Sequence, residues 1–431
     1  MRDRGEPLRL FAITAPGLAP LAAAELAALG AADVAVDPAG VEWRGSPELL
    51  YDANLRLRTA SRILVRVAEF RARTFPELER RARRVPWEEY LAPGGAFALR
   101  VTSRKSKLYH EGAIAERLAG AIVGRVPGVR VGDDEGEADV ESEGRSGRST
   151  AAREAGGVGD ARSGAARGGG AAAGAEPGVE AAGAGGPAQL FVVRVFRDRF
   201  TISADSSGAL LHRRGYRQAT AKAPLRETLA AAMLLASGWD RRSPLLDPFC
   251  GSGTIPIEAA LMARRIAPGL ANPTREPRRY AFRDWPGFDA ARWDDVVSRA
   301  REEILPEAGG PVVGSDRNGG AIRAARANAA RAGVGDDVAF DVRPLSSIRP
   351  PAGPGWLITN PPYGVRVGER RALADLYAAL GNVVRERLPG WTVALLSADR
   401  RLETRTGLPF EDVLETRNGG IAVRAVVGRV G

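Results

Sequence analysis

Apolar positions along the first seventy residues alternate between strand and helix periods. Leu8-Arg-Leu-Phe-Ala-Ile-Thr14 reads as a strand and Pro16-Gly17 as a turn. Leu18, Leu21, Leu26 and Leu29 then share one helical face that Gly30 terminates. Val34–Asp37 and Gly40–Trp43 read as strands, Leu49, Leu50 and Leu55 mark a helix, and Ile63–Phe70 is a further strand. A second unit opens near Thr74, with a helix ending before Pro86, a strand over Ala96–Val101 and a helix over Glu111–Val123. The strands Leu190–Val195 and Arg199–Ser203 complete it. Both units are predicted to be α+β layers.

From Asp205 onward the pattern changes to strand followed by helix, repeated. Leu225–Ala236 is an amphipathic helix, Pro244–Asp247 a strand and Thr254–Ala267 a helix. Pro311–Asp316 leads into an alanine-rich helix over Ala321–Ala332, and Gly355–Asn360 into a helix over Ala372–Leu388. The strand Trp391–Leu396 follows. Asn418-Gly419 between two β-rich runs predicts a closing hairpin. The expected fold is α/β: a doubly wound, Rossmann-like domain over 205–431 with a terminal antiparallel hairpin, preceded by α+β domains over 1–70 and 71–204.

Residues 133–187 break every pattern. They are Gly, Ala, Ser, Arg and Glu with almost no large apolar side chain, and no aromatic occurs between Tyr109 and Phe191. Such a stretch cannot bury enough surface to offset its ordering entropy and is predicted to be a disordered insertion within the second domain.

Composition narrows the chemistry. The 431 residues contain one cysteine, Cys250, and two histidines, His110 and His212, so neither a disulfide framework nor a protein-built zinc site is expected. No run of apolar residues is long enough to span a membrane, and the charged N-terminus lacks a signal-peptide core, so the chain reads as cytoplasmic. A net charge of +10 suits a polyanionic partner. With only three lysines the charge is nearly all arginine, which equally fits a composition bias across the chain.

Two motifs carry the chemistry. Asp247-Pro-Phe-Cys-Gly-Ser-Gly-Thr254 is a strand end, a glycine turn and a helix start. Gly251 and Gly253 permit a sharp turn and close ligand approach, and Thr254 opens a helix whose free N–H groups face the ligand. Pro256 stands where a dinucleotide fingerprint has its third glycine, and a P-loop lysine is missing, which leaves a turn suited to S-adenosylmethionine. Asp316, ending the next strand, suits the two hydroxyls of a ribose. The second motif, Asn360-Pro-Pro-Tyr363, ends an apolar strand. The Asn360 side-chain oxygen and the Pro361 carbonyl can accept the two hydrogens of a purine exocyclic amine, whose lone pair is delocalised into the ring. Pro361 and Pro362 stiffen the backbone, and Tyr363 offers a ring for an extruded base.

On these residues the second half resembles class I S-adenosylmethionine-dependent methyltransferases of the guanine-N2 type. The whole chain resembles THUMP-domain RNA methyltransferases of the large-subunit rRNA kind. Phe11-Ala-Ile-Thr-Ala-Pro-Gly-Leu and Thr59-Ala-Ser-Arg-Ile63 are similar to the family's ferredoxin-like domain. Leu211-His-Arg-Arg-Gly-Tyr-Arg217 and Ala223-Pro-Leu-Arg-Glu-Thr-Leu-Ala230 are similar to its domain junction and first catalytic helix. The resemblance implies a THUMP domain over 71–204 that binds RNA. It implies cofactor contacts at Asp247, Gly251, Gly253, Thr254 and Asp316, and base contacts at Asn360, Pro361, Pro362 and Tyr363. Arg104, Lys105, Lys107, Arg213, Arg214 and Arg217 are the expected phosphate contacts, and Arg80, Arg81, Arg83 and Arg84 are either further ones or a solvated helix face.

Pro344 stands where the family places an acid for the adenine amine, with Asp341 just before it, so that contact is left open. Some relatives carry a second methyltransferase domain; because this chain ends at Gly431, soon after the hairpin, a single catalytic domain with no second activity is expected. The expected activity is methyl transfer to guanine N2, with 23S rRNA as the first substrate candidate and tRNA as the alternative. A DNA adenine-N6 methyltransferase shares the Asn-Pro-Pro-Tyr motif but not the THUMP-like half, and a non-catalytic RNA-binding assembly factor would not need the intact motifs.

Overall fold

A computed structural model describes residues 7–132, 188–218, 225–272, 275–363 and 370–431. The predicted insertion at 133–187 lies outside them. The first half runs β1 (Leu8–Thr14), α1 (Ala19–Ala28), β2 (Ala32–Asp37), β3 (Gly40–Gly45), α2 (Pro47–Arg56) and β4 (Ala60–Arg71). It continues with α3 (Phe75–Ala82), β5 (Ala96–Arg104), α4 (Glu111–Val123), β6 (Arg130–Val131), β7 (Gln189–Phe196) and β8 (Arg199–Asp205).

The two expected α+β units share one eight-stranded sheet, in the order β2-β3-β1-β4-β8-β7-β5-β6. Strand β4 makes this possible. It is 12 residues long, buried along its first eight, and pairs with β1 on one edge and β8 on the other. A run buried on both faces belongs inside a sheet, and the alternation expected of an edge strand begins only at Ala68. Helices α2 and α3 start where Ser46 and Thr74 accept the free N–H groups of Leu49 and Glu77.

The second half contains α5 (Glu227–Ala236), β9 (Leu245–Asp247), α6 (Thr254–Ala263), α7 (Ala290–Glu302), β10 (Val312–Asp316), α8 (Gly319–Arg331) and β11 (Val338–Val342). Then come β12 (Trp356–Thr359), α9 (Arg370–Arg387), β13 (Thr392–Ser397), α10 (Arg400–Arg405), β14 (Glu411–Asn418) and β15 (Ile421–Arg429). Its sheet order is β11-β10-β9-β12-β13-β15-β14, parallel except that β15 runs antiparallel to both neighbours. The chain steps outward from β9 to β11 and then returns to β12 on the other side of β9. That reversal opens a crevice at the carboxyl ends of β9 and β12, where Asp247 and Asn360 stand. The expected hairpin pairs Asn418 with Ile421 across Gly419 and Gly420, both at positive φ as a mirror-image turn demands.

Helix α7 and the loops before it have no counterpart in the periodicity reading. Their aromatic residues join the halves: Tyr51 of α2 stacks on Phe282 at 4.6 Å and meets Trp293 of α7 edge-on at 6.1 Å. Polar contacts cross the same junction. Trp285 Nε1 donates to Gln189 Oε1 at 2.7 Å, and Arg58 Nη2 to the Ile266 carbonyl at 2.6 Å. Arg62 and Asp205 form an ion pair between side chains that are each 1% exposed.

Candidate active site

Gly251 and Gly253 do different work in the turn after β9. Both have positive φ, 54° and 87°. A Cβ on Gly253 would stand 3.0 Å from both Ala325 Cβ and the Phe340 ring, so this glycine is required by packing of α6 against α8 and β11. A Cβ on Gly251 would meet nothing within 4 Å, which leaves its backbone open to a ligand. Cys250 is buried, and burial next to Asp247 and Asp316 holds its thiol well above the usual range, which suits packing and not nucleophilic attack.

The acids also divide. Asp316 lines a cavity of about 910 Å³, where its Oδ2 accepts from Gly251 N at 3.1 Å and its Oδ1 from Asn318 N at 2.8 Å. Asp247, expected to touch a cofactor, is 1% exposed and is absent from the cavity wall. Its Oδ1 accepts from Thr359 Oγ1 at 2.5 Å and from Phe249 N at 3.1 Å, so it fastens the end of β9 to the end of β12. Burial pushes this carboxyl up to about 7. Thr254 is likewise buried, at the first turn of α6.

Asn360-Pro-Pro-Tyr363 lines the same cavity. The Asn360 Oδ1 is buried and accepts no hydrogen bond from any described residue. An orphaned buried acceptor costs about 1–3 kcal/mol, which a donor on a ligand would recover. Pro361 is buried, Pro362 exposed and Tyr363 half-buried, with its phenol pushed up by burial. Asn418 Nδ2 donates to Tyr363 Oη at 2.6 Å. Asn418, Gly419 and Ile421 of the hairpin, together with Arg226, complete the wall. The hairpin turn was legible in the sequence; its place over the cavity was not, because strand order is a tertiary property. Of the residues around the contact left open by the sequence, Asp341 is paired with Arg343 at 3.1 Å, and Pro344, Leu345 and Ser346 line the cavity.

The basic candidates separate by burial. Arg104, Lys105 and Lys107 are exposed at the end of β5, and Lys105 adopts φ 52°. Beside them Tyr109 is 66% exposed with its ring 4.2 Å from that of His110, and Phe196, paired in register with Arg104, is 50% exposed. Arg213 is exposed, but Arg214 and Arg217 are turned inward, which corrects their expected role. The Arg214 guanidinium donates to the carbonyls of Leu211 at 2.6 Å and Arg58 at 2.7 Å, and lies 3.5 Å from Glu258. Arg217 donates to the Leu225 carbonyl at 2.8 Å and pairs with Glu227 at 3.2 Å. Arg214 is spent on joining the first domain to the catalytic one, and Arg217 on fastening its own segment to the start of α5. Arg80, Arg81, Arg83 and Arg84 are exposed on and after α3. Among the described residues no cluster of histidine, cysteine or acids is arranged to hold a metal, and no helix is long and apolar enough to cross a membrane.

A glycine turn, Asp316 and an Asn-Pro-Pro-Tyr wall thus meet at the switch point of a seven-stranded sheet, and the matching families are those of a methyltransferase. Residues 9–64 match the family described as the RlmL ferredoxin-like domain, residues 72–141 the THUMP domain, and residues 214–424 the RMKL-like methyltransferase domain. A Synechocystis protein named provisionally as an RNA methyltransferase is 33% identical over 95% of this chain and 94% of its own length. The ribosomal RNA large subunit methyltransferase K/L of Syntrophotalea carbinolica is 35% identical over 97% of this chain, which spans about half of that protein (53%). The crystal structure of SMU.472, named provisionally as a methyltransferase and complexed with S-adenosylhomocysteine, superposes with a TM-score of 0.78 at 29% identity, covering 99% of both chains. The chain belongs to the THUMP-domain RNA methyltransferases with an RMKL-like catalytic domain.

Proposed function

We propose that this protein transfers a methyl group from S-adenosylmethionine to the exocyclic N2 amine of a guanine in RNA, with 23S rRNA as the substrate. What carries the assignment is the buried Asn360 Oδ1, without a partner among the described residues, on a cavity that Asp316 also lines. The cofactor fits the residues present: Asp316 at the wall for a ribose, the open backbone at Gly251, and a volume of about 910 Å³ that suits a nucleoside and a base together. When bound, S-adenosylmethionine supplies a methyl group already activated on a sulfonium. The protein supplies position. Asn360 Oδ1 and the Pro361 carbonyl accept the two amine hydrogens and turn the face of the nitrogen toward the methyl donor. The Pro361-Pro362 backbone holds both acceptors still, and Tyr363 stacks on the extruded base. The amine proton leaves after transfer, so no dedicated base is needed beforehand.

The exposed Arg104, Lys105 and Lys107, with Tyr109 and Phe196 beside them, suit an RNA strand that is neutralised at its phosphates and stacked at its bases. The THUMP match favours RNA over DNA as the substrate. The test is methylation of 23S rRNA and of tRNA from cells lacking the enzyme, followed by nucleoside mass spectrometry. N2-methylguanosine in 23S rRNA is expected, absent with Asn360→Ala although that variant still binds S-adenosylhomocysteine. N6-methyladenosine as the product, or full activity in Asn360→Ala, would overturn the assignment.

A further inference from the structure

Among the described strands, β14 is the edge of the catalytic sheet and is hydrogen-bonded to β15 alone. Its outer side meets the N-terminal domain at the turn between β1 and α1. Gly17 there has φ 81°, and a Cβ on it would stand 1.8 Å from the Glu415 carbonyl oxygen of β14 and 3.8 Å from Leu414 Cδ1. Three residues further along β14 comes Asn418, which donates to Tyr363 Oη at 2.6 Å. A line of contacts therefore runs from the first domain, through one strand, to the ring at the mouth of the cavity.

Pro361 and Pro362 fix the backbone before Tyr363 but leave its side-chain torsions free. Stacking demands a fixed ring plane, and a hydrogen bond at the far end of the ring supplies it. We propose that Asn418 is a positioning residue that orients Tyr363 for the target base, on a hairpin braced by the N-terminal domain through the Gly17 turn. This rests on the reading that Tyr363 meets the base that is methylated.

The full-length protein is assayed on ribosomal RNA from cells lacking the enzyme, with S-adenosylhomocysteine affinity measured by calorimetry. Asn418→Ala and Tyr363→Phe each remove one side of the hydrogen bond and should each lower kcat/KM for RNA about tenfold. S-adenosylhomocysteine binding should stay within about twofold. The double variant should be no worse than either single one, because both delete the same interaction. Asn418→Asp, which can accept from the phenol instead, should recover most of the loss.

The brace is tested by Gly17→Ala against Gly30→Ala. Both glycines have φ 81°, but a Cβ on Gly30 would meet nothing within 4 Å, so the pair separates backbone strain from pressure on β14. Only Gly17→Ala should lose RNA turnover; if it does not fold, the Asn418–Tyr363 cycle decides alone. Additive losses in the double variant, or wild-type kinetics in both singles, would overturn the proposal. Because the cycle is read at whichever position the wild type methylates, a product other than N2-methylguanosine would overturn the base assignment and leave this proposal standing.

Discussion

Asp247→Asn should make the protein more stable above neutral pH. The carboxyl is 1% exposed, and burial raises it from an ordinary 3.8 to about 7. Below pH 3.8 both folded and unfolded chains hold this proton, and the contribution to stability is fully present. As pH rises from there, the unfolded chain releases the proton first, so stability falls until the folded carboxyl ionises near pH 7 and is flat above it. Between pH 5 and pH 8.5 the remaining interval is about two pH units, or on the order of 3 kcal/mol. Asparagine imitates the protonated acid: its Oδ1 can accept from Thr359 and Phe249 as the carboxyl does. Urea denaturation of both proteins at pH 5 and pH 8.5 checks this. The variant is expected to exceed the wild type by about 1–2 kcal/mol at pH 5 and by about 4 kcal/mol at pH 8.5, so that its advantage grows by about 3 kcal/mol between them. Glu227, also raised to about 7 by burial, contributes its own slope to both proteins and cancels in the difference. Parallel pH curves would refute a neutral, buried Asp247.

The glycine turn predicts a division of effects: Gly253→Ala should cost about 2–4 kcal/mol of stability through overpacking and backbone strain. Gly251→Ala should cost about 1–2 kcal/mol and instead weaken S-adenosylhomocysteine binding in calorimetry. Arg214→Ala, which takes the guanidinium away from buried Glu258 and from the Leu211 and Arg58 carbonyls, should cost about 3 kcal/mol in urea denaturation, an outcome that a phosphate-binding surface arginine would not give. Alanine at Arg104, Lys105 and Lys107 together should leave the melting temperature unchanged. It should reduce the slope of log affinity for single-stranded RNA against log salt by about 0.7 per charge. Tyr109→Ala should weaken RNA binding by about 1–3 kcal/mol in a filter or anisotropy assay.

Most elements were legible because each stands on a strong local signal. The helix over Glu111–Val123 has the bounds its apolar spacing predicts, and the hairpin at Asn418 turns where Asn-Gly must turn. Helix α7 was not legible because its stripe is sparse: Trp293, Val296, Val297 and Ala300 are buried, yet polar and charged residues fill the positions between them. The continuous eight-stranded sheet was also out of reach, since partner choice at β4 depends on β8, more than 120 residues later.

The site divides along the same line. Residue type and local order alone put a flexible glycine turn, an acid after the next strand and a rigid Asn-Pro-Pro-Tyr segment into the chain, and these define the chemistry because they act through local backbone geometry. Which of the acids faces a ligand, which arginines reach solvent and what holds the Tyr363 ring were decided only by folding. Asp247 and Arg214 are the same residue types as Asp316 and Arg104. Burial, hydrogen-bond partners and strand order, all set by residues distant in sequence, give the first pair to the scaffold and the second to the surfaces where binding can occur.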